Sequence, residues 1–268
     1  MGHFDRVKRE GVRKVGVDLS ALDFLLRFRG TRLGETLCLG RQRLTLELGS
    51  EVRSVANDIL FSRTGRSIED IESPDGYSEK FLFFLGSSNV SSLDISNFEG
   101  SNIIHDMNRV IPSFMENCYD FIFDGGTLEH IYNFPIAAWN VRRMLRVGGL
   151  LVSINGANNQ LGHGLYQFSP ELLWRVFGPP AGFEIEAMEL VPITGNAPQP
   201  ITVPPPDGQR REYGPTQHAS YVVCAARKRV ENVDSDLTVY QGDYAAAWER
   251  ALDPPAVHVP PIKSIGSL

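Results

Sequence analysis

Residues 119–154 read YDFIFDGGTLEHIYNFPIAAWNVRRMLRVGGLLVSI, and this stretch decides the fold. It begins and ends with short apolar runs, at 119–124 and 149–154, which are typical of buried β-strands. Between them, residues 135–145 start with a proline suited to the first turn of a helix and carry an apolar face. A strand, a helix and a second strand in succession predict a parallel βαβ unit.

The same alternation extends to both sides of this unit. Further β-rich runs are predicted as strands at 35–40, 90–95, 102–106, 183–190 and 221–226, and helices are predicted at 77–85 and 169–177. We interpret 183–190 as an edge strand with 221–226 as its antiparallel neighbour. The sequence therefore predicts an α/β protein with a Rossmann-like, doubly wound sheet of seven strands, mostly parallel with one antiparallel edge strand.

Composition shifts divide the chain into one domain with extensions. We predict an N-terminal extension at 1–34, a domain at 35–228, and a polar, then proline-rich tail at 229–268. The domain contains a proline- and glycine-rich loop at 195–217. It also contains an insertion at 41–76, much longer than usual connections, which we expect to form a wall or lid over the site.

Charge and cysteine content exclude several classes of protein. The chain has 268 residues and a formal net charge of −6, so it has no broad cationic field for a nucleic acid partner. Its three cysteines are odd in number and far apart, which favours a reducing, cytoplasmic setting. The most apolar short run, 81–85, cannot span a bilayer, so we expect no membrane segment. The sequence leaves the oligomeric state open.

Polar residues and glycines follow four predicted strands, at Gly40, Asp94, Asp106 and Asp124. In doubly wound sheets the ligand lies beyond the carboxyl ends of the strands. Carboxylates at such ends can accept protons from ribose hydroxyls and from an adenine amino group, while glycine lets the backbone approach a ligand closely. This pattern favours an adenosine-containing ligand. The alternative is that Asp94 and Asp106 only cap the turns after their strands.

Residues 119–149 resemble the fourth strand, following loop and helix of class I S-adenosylmethionine-dependent methyltransferases, especially the bacterial small-molecule group with Leu-Glu-His after that strand. The segments GHGLYQFSPELL (162–173) and AGFEI (181–185) resemble the family's substrate loop, helix start and next strand. The resemblance covers 35–40 and 77–190, and 219–227 more loosely. It implies S-adenosylmethionine as cofactor, with contacts from Asp94 and Ile95 at the ribose, Asp106 and Met107 at the adenine, and Asp124, Gly125 and Gly126 near the methionine portion.

The first glycine loop departs from the family pattern. Cys38 stands where relatives carry an acidic residue, and Gly40-Arg41-Gln42 replaces the usual Gly-x-Gly turn. Gly40 still allows one close approach of the backbone. Gln42 must point away from the ligand or replace a backbone contact with its own amide, so both residues are predicted cofactor contacts.

The acceptor side is predicted at the polar loop after the fifth strand. Asn158, Tyr166 and Gln167 are expected to contact the substrate. His163 is the first candidate for a general base and His130 the second, although either histidine could be purely structural. Glu129 and His130 could form a metal pair, but Gly126 leaves no third ligand nearby in sequence, so we expect no metal.

The leading hypothesis is a methyltransferase that acts on a small molecule or glycan, by O-methylation with a histidine base, with a nitrogen acceptor as the less favoured alternative. The alternative is a catalytically inactive, methyltransferase-like interaction protein that kept the fold after its glycine loop changed. A nicotinamide-dependent reductase is disfavoured because no Gly-x-Gly-x-x-Gly follows the first strand. Sugar, lipid-linked glycan, polyketide and peptide acceptors all stay open.

Overall fold

The computed structural model describes residues 16–46, 49–214, 216–231 and 238–250. Within these ranges the strands are Gly16–Val17 (β1), Gly34–Leu39 (β2), Arg43–Leu44 (β3), Ser87–Asp94 (β4), Ile103–Ile104 (β5), Tyr119–Gly125 (β6), Leu145–Asn158 (β7), Phe183–Pro192 (β8), Ile201–Thr202 (β9) and Ser220–Lys228 (β10). The α-helices are Leu19–Leu25 (α1), Ser50–Thr64 (α2), Glu79–Leu85 (α3), Phe134–Met144 (α4), Pro170–Val176 (α5) and Gly242–Arg250 (α6). Each helix in the described part of the chain is too short or too polar to cross a membrane.

The main sheet confirms the doubly wound α/β prediction and corrects its details. Its strand order is β5-β4-β2-β6-β7-β10-β8-β9, and the first five of these strands are parallel. The sheet has eight strands rather than seven, because the proline-rich loop contributes β9. The predicted antiparallel pairing of 183–190 with 221–226 is confirmed as β8 with β10, and β10 lies between β7 and β8. The prediction of 183–190 as the edge strand is wrong, because β9 pairs with β8 on its outer side, and β9 and β10 both run opposite to the parallel strands.

Both faces of the sheet are covered, as alternation along the central strand β6 requires. Ile122 packs into one apolar cluster with α4 and α5, whereas Phe121 and Phe123 pack into the other with α1, α2 and α3. All three side chains are fully buried. Successive side chains of a strand point to opposite faces, so a strand that is apolar throughout must lie between two layers.

The predicted extension and insertion both contribute to the second cluster. Every residue of α1 is buried, and Ala56 and Leu60 of α2 pack in the same cluster as β2. β1 pairs in parallel with β3 of the insertion. The described parts of the insertion, 41–46 and 49–76, therefore pack against the sheet. Their role as a wall or lid stays a prediction, as do the domain boundaries.

The predicted tail contains an element that its polar composition did not indicate. Residues 242–250 form α6, which is joined to α5 by the Gly242 N–H and the Glu171 carboxylate. Residues 1–15, 232–237 and 251–268 of the predicted extension and tail lie outside the described part of the chain.

Candidate functional site

The strand order reverses between β2 and β6, and this crossover point organises the candidate site. From β2 the chain continues outward to β4 and β5, and from β6 it continues to β7 on the other side. Because these strands are parallel, their carboxyl ends share one edge. Gly40, in the left-handed region with φ +68°, donates its N–H to Leu93 O at 2.7 Å, and Thr127 Oγ1 donates to Leu39 O at 2.6 Å.

Gln42 turns back into this crossover. Its side chain is buried, and its Nε2 donates to the carbonyl oxygen of Leu39. Its Oε1 is buried and has no hydrogen-bond partner among the described residues. Gly125 leaves room for this amide, since a Cβ atom at that position would lie 2.5 Å from Gln42 Oε1. The amide thus occupies the space that the glycines of the two neighbouring strands create.

Asp94 and Asp106 lie on adjacent strands at the same edge. Asp94 ends β4 and is half-buried, with its Oδ1 accepting the Ile95 N–H at 2.6 Å, while the Ile95 side chain is exposed. Asp106 follows β5 and accepts from the Asn108 N–H at 2.9 Å and from Asn108 Nδ2 at 2.8 Å. These Asn108 contacts lower the pKa of Asp106.

Met107 lies in the core rather than at the surface of the site. It belongs to the cluster beneath α4, where Asn140 Nδ2 approaches its carbonyl oxygen at 3.5 Å. Gly126, by contrast, adopts φ +88° at the end of β6, where the chain turns away from the sheet. The residues predicted to contact the adenine and the methionine portion lie near the carboxyl edge of the sheet and differ in how accessible they are, and their roles as contacts stay predictions.

Asp124 is wholly buried and engaged by the chain itself. Its Oδ1 accepts the backbone N–H groups of Thr127 at 2.8 Å and Leu128 at 3.2 Å. Its Oδ2 accepts from Ser153 Oγ at 2.7 Å and from Asn155 Nδ2 at 2.6 Å. Burial raises the pKa of this carboxyl, although the four donors oppose the shift. Asp124 thus ties β6, the loop after it, and β7 together.

Glu129 is the second buried carboxylate of this edge, and its two oxygens face different surroundings. Its Oε2 accepts the Gly156 N–H, whereas its Oε1 lies 3.0 Å from His163 Nε2 and 3.7 Å from His130 Nε2. The Glu129 side chain is 2% exposed, against 40% for His130 and 27% for His163. Burial is the main cause that raises the pKa of Glu129, to about 7.

The backbone of Glu129 brings His163 to it from a distant part of the chain. Its carbonyl oxygen accepts the N–H groups of Leu165 at 2.9 Å and Tyr166 at 3.1 Å, and its own N–H donates to Asn155 Oδ1 at 3.2 Å. The two imidazole rings stand 5.4 Å apart between centroids. Burial, and then the neighbouring His163, lower the pKa of His130.

The predicted substrate residues separate into two groups. Asn158 and Gln167 line a mostly apolar cavity of about 750 Å³, between the end of β7, α5 and the proline-rich loop. Tyr166 lies elsewhere, with its hydroxyl donating to Tyr132 O at 2.6 Å and its ring stacked on Phe168. The structure therefore brings two of the three residues to one cavity.

Asn155, Ser153 and Thr127 are the polar contributors that the sequence prediction missed. The first two lie two positions apart on β7, and Ser153 pairs in register with Asp124 on β6. Their alternate spacing in an otherwise apolar strand was a readable signal that both point to one face. Thr127 had no such signal, because its role depends on the turn after β6.

No family model matches the chain, and no curated protein matches it in sequence. Among solved structures, it resembles the Burkholderia thailandensis 1,6-didemethyltoxoflavin-N1-methyltransferase with bound S-adenosylhomocysteine, at 14% identity and TM-score 0.43, over 79% of this chain and 78% of that one. The methyltransferase CalH in complex with SAH is similar at 16% identity and TM-score 0.40, over 78% of this chain and 55% of that one. The [4+2]-cyclase SpnF is similar at 12% identity and TM-score 0.41, over 79% and 81%.

This chain thus spans about half of the CalH structure and most of the other two. At these scores and identities the likeness assigns no family and no activity to the chain.

Proposed function

We propose that this protein is an S-adenosylmethionine-dependent methyltransferase that acts on a small molecule or glycan, by O-methylation with a histidine general base. The observation that carries the proposal is a pair of acceptors at neighbouring strand ends. Asp94 closes β4 with a half-buried carboxylate, and Gln42 follows β2 with a buried amide oxygen that has no partner among the described residues. Crossover points of doubly wound sheets are where nucleoside ligands bind.

The residues present fit this cofactor, with one unusual contact. The Asp94 carboxylate can accept from the ribose hydroxyls, and Asp106 would accept from the adenine amino group, whereas the Met107 side chain is committed to the core. Gln42 Oε1 would accept from the ammonium group of the methionine portion, in place of the backbone of a glycine turn. Gly40, Gly125 and Gly126 have no side chains, so the ligand could approach the backbone closely. Asp124 would act indirectly, because it accepts hydrogen bonds from the backbone of the loop after β6.

When bound, the cofactor supplies an electrophilic methyl group on a sulfonium. The chain must then hold an acceptor oxygen in line with that group and remove its proton. His163 is suited to the second task, because its Nε2 lies 3.0 Å from the Glu129 carboxylate and its Nδ1 is then the nitrogen that can accept a proton. A carboxylate in this position orients the imidazole and stabilises its charged form. His130 is the second candidate.

The acceptor would occupy the cavity beside Asn158 and Gln167. His163 does not line this cavity, so the reacting oxygen would extend out of it toward His163, which precedes Gln167 in the same loop. The cavity volume of about 750 Å³ and the mostly apolar lining, which includes Trp174 and Tyr213, suit an organic molecule larger than a single sugar. The two amide side chains would orient its polar groups.

Calorimetric titration with S-adenosylhomocysteine tests the proposal. The wild-type chain should bind, and Asp94→Ala should weaken binding at least about tenfold, because a paired hydroxyl–carboxylate contact is lost. His163→Ala should leave this binding unchanged. An absence of binding by the folded wild type at millimolar ligand would contradict the proposal.

A second candidate function is the non-catalytic interaction protein, and the buried position of Gln42 favours it. If the amide blocks the crossover, the wild type does not bind the ligand and Gln42→Ala gains binding. If Gln42 Oε1 holds the ammonium group, the same substitution weakens binding instead. Gln199→Ala, at an exposed position that does not line the cavity, is the matched control and should change neither result. The sign of the Gln42 effect therefore separates the two functions.

A further inference from the structure

The side chains of Glu129, His130 and His163 converge on one point at the edge of the sheet. One possible ligand atom from each of the three side chains lies within 4.8 Å of those of the other two. Both imidazole nitrogens face the same carboxylate oxygen, at 3.7 Å from His130 and 3.0 Å from His163. Sequence reasoning dismissed a metal because no third ligand lay near Glu129 and His130, and the fold supplies that ligand from the loop after β7.

The ligands are fixed by contacts that leave their donor atoms available. The Gly156 N–H donates to Glu129 Oε2, which leaves Oε1 as the oxygen that faces the histidines. Leu165 and Tyr166 bind the Glu129 carbonyl oxygen and hold the His163 loop in place. Such outer contacts orient metal ligands and are a regular part of metal sites.

We propose that Glu129, His130 and His163 bind one divalent transition-metal ion, with zinc as the expected occupant. Two imidazoles and one carboxylate form a ligand set that catalytic zinc sites use, with a further position open to water or substrate. Zinc ligands at about 2.1 Å from the ion lie roughly 3.4 Å apart in tetrahedral geometry. The Glu129 Oε1–His163 Nε2 distance of 3.0 Å and the Glu129 Oε1–His130 Nε2 distance of 3.7 Å are both close to that spacing, so only small side-chain shifts are needed. The partly exposed His130 side chain is free to make this adjustment.

The open position would face solvent, because the two histidines are partly exposed while the carboxylate is buried. A hydroxyl or water bound there would have its pKa lowered by the ion. In the cation-bound protein, this position would replace His163 as the group that activates an acceptor oxygen. That chemical use rests on the proposed methyl transfer, whereas binding of the ion does not.

The test uses the full-length chain without an affinity tag, freed of metal with a chelator and titrated with Co²⁺ as a visible probe. We expect one equivalent of Co²⁺ to produce ligand-field absorption bands, and Zn²⁺ to displace it. Glu129→Gln and His163→Gln should each weaken Co²⁺ binding at least about tenfold. His218→Gln, which changes an exposed histidine outside the cluster, should bind like the wild type.

Circular dichroism of each variant checks folding, and the more exposed His130→Gln replaces any variant that does not fold. The proposal is overturned if folded wild-type protein gives no Co²⁺ bands, or if the variants of the cluster bind as tightly as the His218 control. Titration of the metal-free wild type with S-adenosylhomocysteine runs in parallel. Loss of metal binding with intact nucleoside binding contradicts only the metal site, and the reverse result contradicts only the proposed function.

Discussion

Asp124 and Glu129 are two buried carboxylates at the same edge of the sheet, yet they are used in opposite ways. Asp124 accepts hydrogen bonds at both oxygens from four donors of the chain. Glu129 has one oxygen held by Gly156 N–H and the other turned toward two partly exposed histidines. A buried carboxylate whose oxygens are both hydrogen-bonded by the chain holds its donors in place and is costly to remove, whereas one with an oxygen turned toward two partly exposed histidines is available for binding or chemistry.

The largest expected effect is on stability, at Asp124. Replacing it with alanine leaves the Thr127 and Leu128 N–H groups and the Ser153 hydroxyl without this acceptor, while Asn155 Nδ2 keeps only Ser153 Oγ at 2.7 Å. We expect Asp124→Ala to lower the free energy of unfolding by about 3–5 kcal/mol, measured by urea denaturation. Ser153→Ala, which removes one of the four donors, should cost only about 1 kcal/mol. Equal losses for the two variants would show that Asp124 does not organise this network.

The next effect concerns Asn155, which links the two carboxylates. Its Nδ2 donates to Asp124 at 2.6 Å, and its Oδ1 accepts the Glu129 N–H at 3.2 Å. Asn155→Ala should destabilise the fold by about 2–3 kcal/mol, because it removes a donor and leaves a buried N–H unpaired. The control is Asn158→Ala, on the same strand but at the cavity, which should cost under about 0.5 kcal/mol. If the two substitutions lower the free energy of unfolding by the same amount, the link that Asn155 makes between the carboxylates does not stabilise the fold.

Lys228 extends the comparison to a buried cation. Its ammonium donates to the carbonyl oxygens of Arg142 and Leu145, each at 2.7 Å, and it is 1% exposed. Burial is the main cause that lowers its pKa from 10.5 to about 8. Because the pKa of Lys228 is lower in the folded than in the unfolded protein, the contribution of Lys228 to stability is largest above the unfolded pKa. This contribution is lost as the pH falls through the folded pKa of about 8.

Urea unfolding near pH 7 and near pH 10 measures this effect against Lys228→Met. The stability of the wild type relative to the variant should be about 1–3 kcal/mol higher at the upper pH. A difference that stays constant between the two pH values would mean that the ammonium is not penalised by burial.

Much of this architecture could be predicted from the sequence, because apolar runs and glycine-ended helices report directly on buried strands and their crossovers. The strands at 119–124 and 149–154, and the helix between them, lie within β6, β7 and α4 almost as predicted. The strand β9 was missed since two residues, Ile201–Thr202, are too short to show a period. The pairing of β10 with β8 was predicted, but its pairing with β7 on the other side is a long-range contact that no local pattern encodes.

The candidate site was predictable in position but not in detail. Strand-end residues such as Asp94 could be assigned to one edge, because parallel strands share it. The inward orientation of the Asp124 side chain could have been inferred, because Asp124 and Ser153 are polar positions in otherwise apolar strands. The orientation of the Gln42 side chain back toward Leu39 could not, since it depends on a tight turn. The meeting of Glu129 with His163 is set by backbone hydrogen bonds from the loop after β7, which the sequence does not reveal.

The smallest expected effect on stability closes the comparison, at Glu129 itself. Glu129→Gln keeps a carbonyl oxygen for the Gly156 N–H and a side chain of the same size, and it removes only the charge that faces the histidines. In metal-free protein we expect a change in the free energy of unfolding of under about 1 kcal/mol, against the several kcal/mol at Asp124. Urea denaturation in the presence of a chelator measures it. A loss as large as that of Asp124→Ala would show that the Glu129 charge is committed to the fold, and the contrast between the two carboxylates would fail.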